Sequence, residues 1–229
     1  MKLTTKLLTT MIGLAGMAGL ANGQMTKEAQ AAATPDSILK DLMAGNANFA
    51  AGNLTKIDMK AERAAVTTGQ FPKAVILSCL DSRVPVEMVF DQGFGDLFVG
   101  RVAGNVENVD QLGSMEFATK LAGAKVILVL GHSSCGAVKG ACDGAKMGNL
   151  TDLLAKITPA VEAVKGHEAE GRNSKNAKFV AAVVEKNVQM TVADIRKNSK
   201  VLTDLEKEGK LKIVGGVYDL ETGKVTLVK

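Results

Sequence analysis

Val126-Ile-Leu-Val-Leu-Gly-His-Ser-Ser-Cys-Gly-Ala-Val138 is the stretch that decides how the rest of this chain is read. The apolar residues from Val126 to Leu130 are what a strand buried on both faces requires, and such strands occur in parallel sheets covered by helices. The run stops at Gly131, and the turn beyond it delivers His132 and Cys135, two soft metal ligands at one strand's carboxyl end. A second stretch has the same design. Ala74-Val-Ile-Leu-Ser-Cys79 is apolar almost to its terminal Cys and runs at once into Asp81 and Arg83. Two strands therefore end in ligand-type residues, and in an open α/β sheet ligands gather at the carboxyl ends of strands.

Upstream of both, residues 24–34 are rich in Ala, Gln and Lys without an apolar period and read as a frayed or helical N-terminal arm. Thr34-Pro-Asp-Ser37 starts a helix, with Pro35 in its first turn, Ile38, Leu42 and Phe49 along one face, and Gly52 and Asn53 closing it. Residues 58–68 read as a short helix, and 69–72 as the loop feeding the strand at 73–78. Residues 86–90 are too short to type. Leu97-Phe-Val99 begins a strand running toward Arg101, and 110–121 carry the helical spacing of a crossover into the strand at 125–130. Strand, helix, strand with tight Gly turns predicts parallel units. Past Cys135 the chain turns helical, with stripes over 150–164 and 179–196, the second running Val180, Val184, Val188, Val192, Ile195. Between them 165–178 is a polar loop in which His167 is expected to be solvated and without a role. Residues 212–217 form a further strand, and the short turn at 219–223 returns the chain antiparallel into 225–228. The expected fold is α/β: a mostly parallel central sheet of about four strands plus an antiparallel edge strand, flanked by helices, with an N-terminal helical arm.

The 229 residues are 46% hydrophobic, enough for one well-cored domain and hardly for two. Residues 1–23 differ from the remainder. Lys2 and Lys6 precede an apolar run from Leu7 to Leu20 and the small residues Ala21-Asn-Gly23, the order of a secretory signal peptide cleaved after Gly23. That run is short for a membrane span, which needs roughly 20 residues. The expectation is a signal peptide at 1–23, a single domain at 24–229, a periplasmic or secreted location, and no membrane association after cleavage. Of the 28 basic residues, 26 remain once Lys2 and Lys6 are removed, against 24 acidic ones, so the formal charge falls from +4 to +2. With no long basic run, one Tyr and no Trp, nothing forms a stacking platform for nucleic acid. Three cysteines in an exported chain allow one disulfide and a free thiol. Two of them, however, sit at strand ends beside a His and a charged pair, which favours metal ligation; Cys142 reads as a small packing residue.

Taken singly, Cys79 is core filler, Asp81 with Arg83 a loop ion pair, and His132 a hydrogen bonder at a helix start. Cys-x-Asp-x-Arg at one strand end and His-x-x-Cys at another are hard to obtain together by chance, and they point to zinc. Cys79, His132 and Cys135 supply two thiolates and an imidazole, leaving the fourth tetrahedral position to water. The metal lowers the pKa of that water to generate a hydroxide nucleophile. Two thiolates cancel the charge of the ion, so a group that steers the water helps. Asp81 accepts the hydroxide's proton in a hydrogen bond, and Arg83 holds Asp81 ionised through a bidentate pair. Should that pair open, Asp81 can itself become a metal ligand and close the site.

With these residues in place the chain resembles the β-class carbonic anhydrases and, given its leader, an exported bacterial type. The likeness runs from Leu39-Lys-Asp-Leu-Met-Ala-Gly-Asn46 to Gly216-Val-Tyr-Asp-Leu-Glu-Thr-Gly223. It is carried by Cys79-Leu-Asp-Ser-Arg83, Asp91-Gln-Gly93, Arg101-Val-Ala-Gly-Asn105 and Gly131-His-Ser-Ser-Cys-Gly136. The resemblance implies zinc on Cys79, His132 and Cys135, a catalytic dyad of Asp81 and Arg83, and reversible hydration of carbon dioxide to bicarbonate and a proton. It also implies a homodimer or homotetramer, with N-terminal helices clasping the partner and the sites at the subunit junction. The neighbourhoods of Gln92 and Gly104 would border the substrate pocket. One departure stands out: some members bind bicarbonate at a second, inhibitory site that includes a Trp, and this chain has none.

Overall fold

In a computed structural model that describes residues 25–228, both apolar runs are strands. The expected signal peptide and its cleavage point lie outside the described residues. The chain enters through α1 (Lys27–Ala32), capped by the Thr26 side chain. Gln30 Nε2 donates to the carbonyls of Pro72 and Ala122, and Lys125 Nζ donates to those of Ala31 and Ala33. The arm is thereby tied to the start of the sheet in its own chain. α2 (Pro35–Ala50) begins as expected, with a capping box in which Thr34 and Ser37 exchange side-chain-to-backbone bonds. α3 (Met59–Ala65) follows on an Asp58 cap.

The central pattern then runs β1 (Ala74–Ser78), α4 (Val86–Val89), β2 (Leu97–Arg101), α5 (Val109–Glu116) with a π-helical turn at Phe117–Leu121, and β3 (Val126–His132). After it come α6 (Gly136–Cys142), α7 (Gly148–Ala155), α8 (Thr158–Ala163), α9 (Ala177–Asn198), α10 (Lys200–Lys207), β4 (Lys212–Tyr218) and β5 (Val225–Val228). The single helix expected over 150–164 is two. Pro159 has no N–H to give the carbonyl four residues back, and its ring disfavours helical backbone at the residue before it, so the helix restarts there. The 165–178 segment is a loop as expected, but His167 is half-buried, its ring 5.7 Å from that of Phe179.

The strand order is β2-β1-β3-β4-β5, with β1 parallel to both β2 and β3, β3 parallel to β4, and β5 antiparallel to β4. Alternation along each strand divides the core. Val75, Leu77, Ile127, Val129 and Ile213 pack with Met115, Val188, Val192 and Ile195 on one face; Ala74, Ile76, Leu128 and Leu130 pack with Ile38, Leu42, Val89 and Phe90 on the other. Each such fully buried aliphatic or aromatic side chain contributes about 1.5–3 kcal/mol. α9 lies directly on β3 and β4 because two strand positions have no side chain. A Cβ at Gly131 would stand 2.6 Å from Val188, and one at Gly215 2.5 Å from it. A third apolar cluster, built from α6 to α9, closes over the carboxyl ends of β1 and β3 and contains Cys79 and Cys135.

Candidate metal centre

In the β1–β3 register Ser78 lies opposite Leu130, so Cys79 leaves the sheet level with Gly131 and next to His132. The segment after Cys79 is held by the neighbouring strand. Arg101, the last residue of β2, donates from Nε to the Cys79 carbonyl at 3.1 Å and from Nη2 to the Asp81 carbonyl at 2.5 Å. The Gly104 amide donates to Cys79 Sγ at 3.4 Å.

His132 ends β3, completely buried. Its Nδ1 lies 2.9 Å from the Ser133 carbonyl. A carbonyl only accepts, so Nδ1 carries the proton and Nε2 the lone pair. That Nε2 has no hydrogen-bond partner among the described residues, a costly state for a buried imidazole nitrogen unless an ion takes the lone pair. Ser133 is fixed by its amide on the Tyr218 carbonyl and by its hydroxyl, which accepts from the Leu220 amide. Ser134, at φ 56°, then turns the chain so that Cys135 sits at the head of α6.

The structure thus brings together the three side chains expected to be ligands. Their donor atoms all lie within 4.8 Å of one another, each residue buried, and the two sulfurs are 3.9 Å apart. The two sulfurs lie within hydrogen-bond reach of each other. The hydrogen bond from Cys135 holds Cys79 down to about 4 against its burial, with His132 and the Gly104 and Asp81 amides adding to the effect. Cys135 is pushed up, because it keeps the proton of that hydrogen bond and is itself buried. A divalent ion held by Cys79 and Cys135 would let both sulfurs ionise. The donor set suits zinc, which favours thiolate and imidazole and keeps a position open when only three protein groups bind it.

Asp81 and Arg83 form the expected pair. Arg83 Nε and Nη2 donate to the two carboxylate oxygens at 2.9 and 2.7 Å, and the Arg83 amide donates to Oδ1 at 3.0 Å. These bonds, the side-chain ones foremost, hold the Asp81 carboxyl well below the usual carboxylate range despite partial burial. Asp81 Oδ2 stands 3.7 Å from His132 Nε2, so an ionised carboxylate overlooks the free lone pair. Gly104 adjoins the site through Cys79. Gln92 lines a separate cavity of about 440 Å³ with Asp41, Lys73 and Asp91, which none of the three ligand-type residues touches. Cys142 is a free thiol, pushed up to about 11 by burial and set apart from the cluster. Sequence reasoning gave Arg101 no role, although an Arg directly closing a strand next to a ligand-bearing one was a usable signal.

The family model described as carbonic anhydrase matches residues 74–225, more than half of the chain and all of the site. Carbonic anhydrase 2 of Mycobacterium tuberculosis is 37% identical over 199 residues, covering 84% of this chain and 92% of that protein. Among solved structures, the Coccomyxa β-carbonic anhydrase in complex with acetazolamide superposes with a TM-score of 0.62 at 26% identity, covering 73% of this chain and 77% of that one. A structure from a report on two tetrameric β-carbonic anhydrases of Sordaria macrospora shares the fold at TM-score 0.62 and 23% identity, over 72% of this chain and 84% of that one. With the family's sequence pattern across its sheet and the fold of its solved members, this chain belongs to the carbonic anhydrases, in the β class.

Proposed function

We propose that this carbonic anhydrase is an exported enzyme in which Cys79, His132 and Cys135 hold zinc and the Asp81–Arg83 pair orients the reacting water. Beta-carbonic anhydrases use zinc, and the reaction of the family is the reversible hydration of carbon dioxide to bicarbonate and a proton. The observation that carries the assignment of residues is the buried Cys79–His132–Cys135 cluster, its donors within 4.8 Å, beside a carboxylate fixed by an arginine.

When bound, zinc lowers the pKa of water toward about 7 and so makes a nucleophile available at neutral pH. The chain's own groups do the rest. His132 offers its Nε2 lone pair in a fixed tautomer. Asp81, kept ionised by Arg83, accepts the O–H of the water and turns the oxygen lone pair toward carbon dioxide. With both carboxylate oxygens engaged by Arg83, Asp81 is also kept from acting as a fourth ligand, and the closed form requires those bonds to break. The sulfurs belong to an apolar cluster with Val106, Val138 and Phe179, a low-dielectric surrounding that strengthens each of these polar interactions.

Export rests on the leader expected at residues 1–23, and among the described residues no helix is long and apolar enough to cross a membrane. A homodimer or homotetramer belongs to the same proposal. β2 is an edge strand, and Val109, Phe117 and Leu121 beside it are 79%, 53% and 75% exposed. Val109 and Phe117 line a groove of about 810 Å³ between β2 and α5, and apolar surface around an open sheet edge is what a second copy covers.

Stopped-flow carbon dioxide hydration with metal analysis tests the assignment. The wild-type protein should carry about one zinc per chain and hydrate carbon dioxide. Cys79→Ser and His132→Ala should lose both properties. A zinc-replete wild type with no rate above buffer would refute it.

A further inference from the structure

α9 presents the core with Phe179, Val180, Val183, Val184, Val188, Val192 and Ile195, and in the middle of that apolar face stands Asn187, only 3% exposed. A buried amide is costly unless it is hydrogen-bonded. Asn187 Nδ2 donates to the carbonyl of Gly104 at 2.8 Å, 83 residues away in sequence. The same peptide group is gripped from its other side, where the Asn105 amide donates to the Val102 carbonyl at 2.9 Å. With that plane fixed, Gly104 adopts φ 74° and ψ 14°, and its own N–H is aimed at Cys79 Sγ. Glycine suits this position best. A Cβ at Gly104 would lie 2.5 Å from Ile157 Cδ1, and the left-handed conformation is one that side chains resist.

We infer that Asn187 is a positioning residue for the metal centre: through Gly104 it keeps an N–H donor on the Cys79 sulfur and so sets how tightly that thiolate binds the ion. An N–H donor on a buried thiolate replaces solvation lost on burial and fixes the direction of its remaining lone pairs. Without the Asn187 amide, the Gly104 carbonyl is left buried and unpaired. The 103–105 turn then relaxes toward another acceptor, taking its N–H off the sulfur. This inference rests on Cys79 being a zinc ligand.

The test uses the purified holoprotein and two substitutions. Asn187→Leu removes the donor while keeping the number and branching of side-chain heavy atoms, and Val192→Ala opens a cavity elsewhere on the same helix face. Zinc affinity is measured by chelator competition, and the sulfur environment by the thiolate-to-metal absorption band of the cobalt-substituted protein. Asn187→Leu should weaken zinc binding by about tenfold or more and shift the band. Val192→Ala, though destabilised, should leave both near wild type. Equal affinity and an unmoved band in Asn187→Leu, or the same losses in Val192→Ala, would overturn the inference. If Asn187→Leu does not fold, cadmium-113 in the wild-type protein decides: scalar coupling between the Gly104 amide proton and the metal nucleus supports it, and no coupling refutes it. A wild type that binds no metal, or cadmium that shows no coupling to cysteine Cβ protons, would count against the ligand assignment instead.

Discussion

Asp81 is restrained at both carboxylate oxygens and at its carbonyl. Its two carboxylate oxygens take bonds from the Arg83 guanidinium, Oδ1 also takes the Arg83 amide, and its carbonyl takes Arg101. A loop carboxylate with a purely structural task needs no such aim, and its position 3.7 Å from His132 Nε2 gives the aim a target. Asp81→Asn keeps the size of the side chain but presents an amide, which cannot accept the water's proton at both positions. Zinc content should stay at the wild-type level while hydration falls by about a hundredfold or more. Arg83→Ala should also lower turnover, because the freed carboxylate can then take the open position on the metal and bias the site toward the closed form. An Asp81→Asn protein as fast as wild type in stopped-flow assays would assign the dyad a structural task only.

At the scale of elements, α9, α10 and β4 are joined by one clamp. Arg196 donates to both oxygens of Glu206 at 2.7 and 2.8 Å and to the Ile213 carbonyl at 2.7 Å, while the Ile213 amide donates back to Glu206 at 3.1 Å. Burial pushes the Glu206 carboxyl up, but these bonds outweigh it and leave it below the ordinary glutamate range. A carboxyl whose pKa is depressed in the folded state stabilises above its unfolded value, about 4.3, and the contribution fades as pH falls through the lower folded value. Glu206→Gln should therefore cost about 1 kcal/mol at pH 7, allowing for partial exposure. That is about 2–4 °C in Tm, and the gap to wild type should close below about pH 4. Thermal melts across pH check this, and a gap independent of pH would argue against the ion pair as its source. The elements themselves were unequally legible. Residues 74–78 and 126–130 are buried on both faces and so read as apolar runs, and the ligand spacing after each needed nothing more. Residues 200–207 went unassigned because the turns of α10 bury only Leu202 and Leu205, too few for a period to show. The break at Pro159 was visible and was overridden by the stripe around it. Asn187 carries no local pattern: what it does exists only once α9 approaches the Cys79 loop.

At the scale of the whole molecule, the proposed assembly places the open edge of β2 and the apolar side chains of α5 and the π-helical turn against a second copy. A stable interface buries about 1,200–2,000 Å² in total, and charges set among its apolar residues should abolish it. Val109→Asp with Phe117→Lys should shift the sedimenting species from dimer or larger to monomer at micromolar concentration. An unchanged sedimentation profile would move the interface elsewhere, and a monomeric wild type would end the proposal. The path of the chain through the sheet has a consequence of its own. Cys79 and Cys135 issue from adjacent central strands, β1 and β3, which are joined in sequence through the outer strand β2. No short loop pre-assembles the chelate, as happens in small metal-nucleated domains. An ion held by all three side chains would sit in a seat upholstered by the sheet, and its retention would report that β1 and β3 are docked in register.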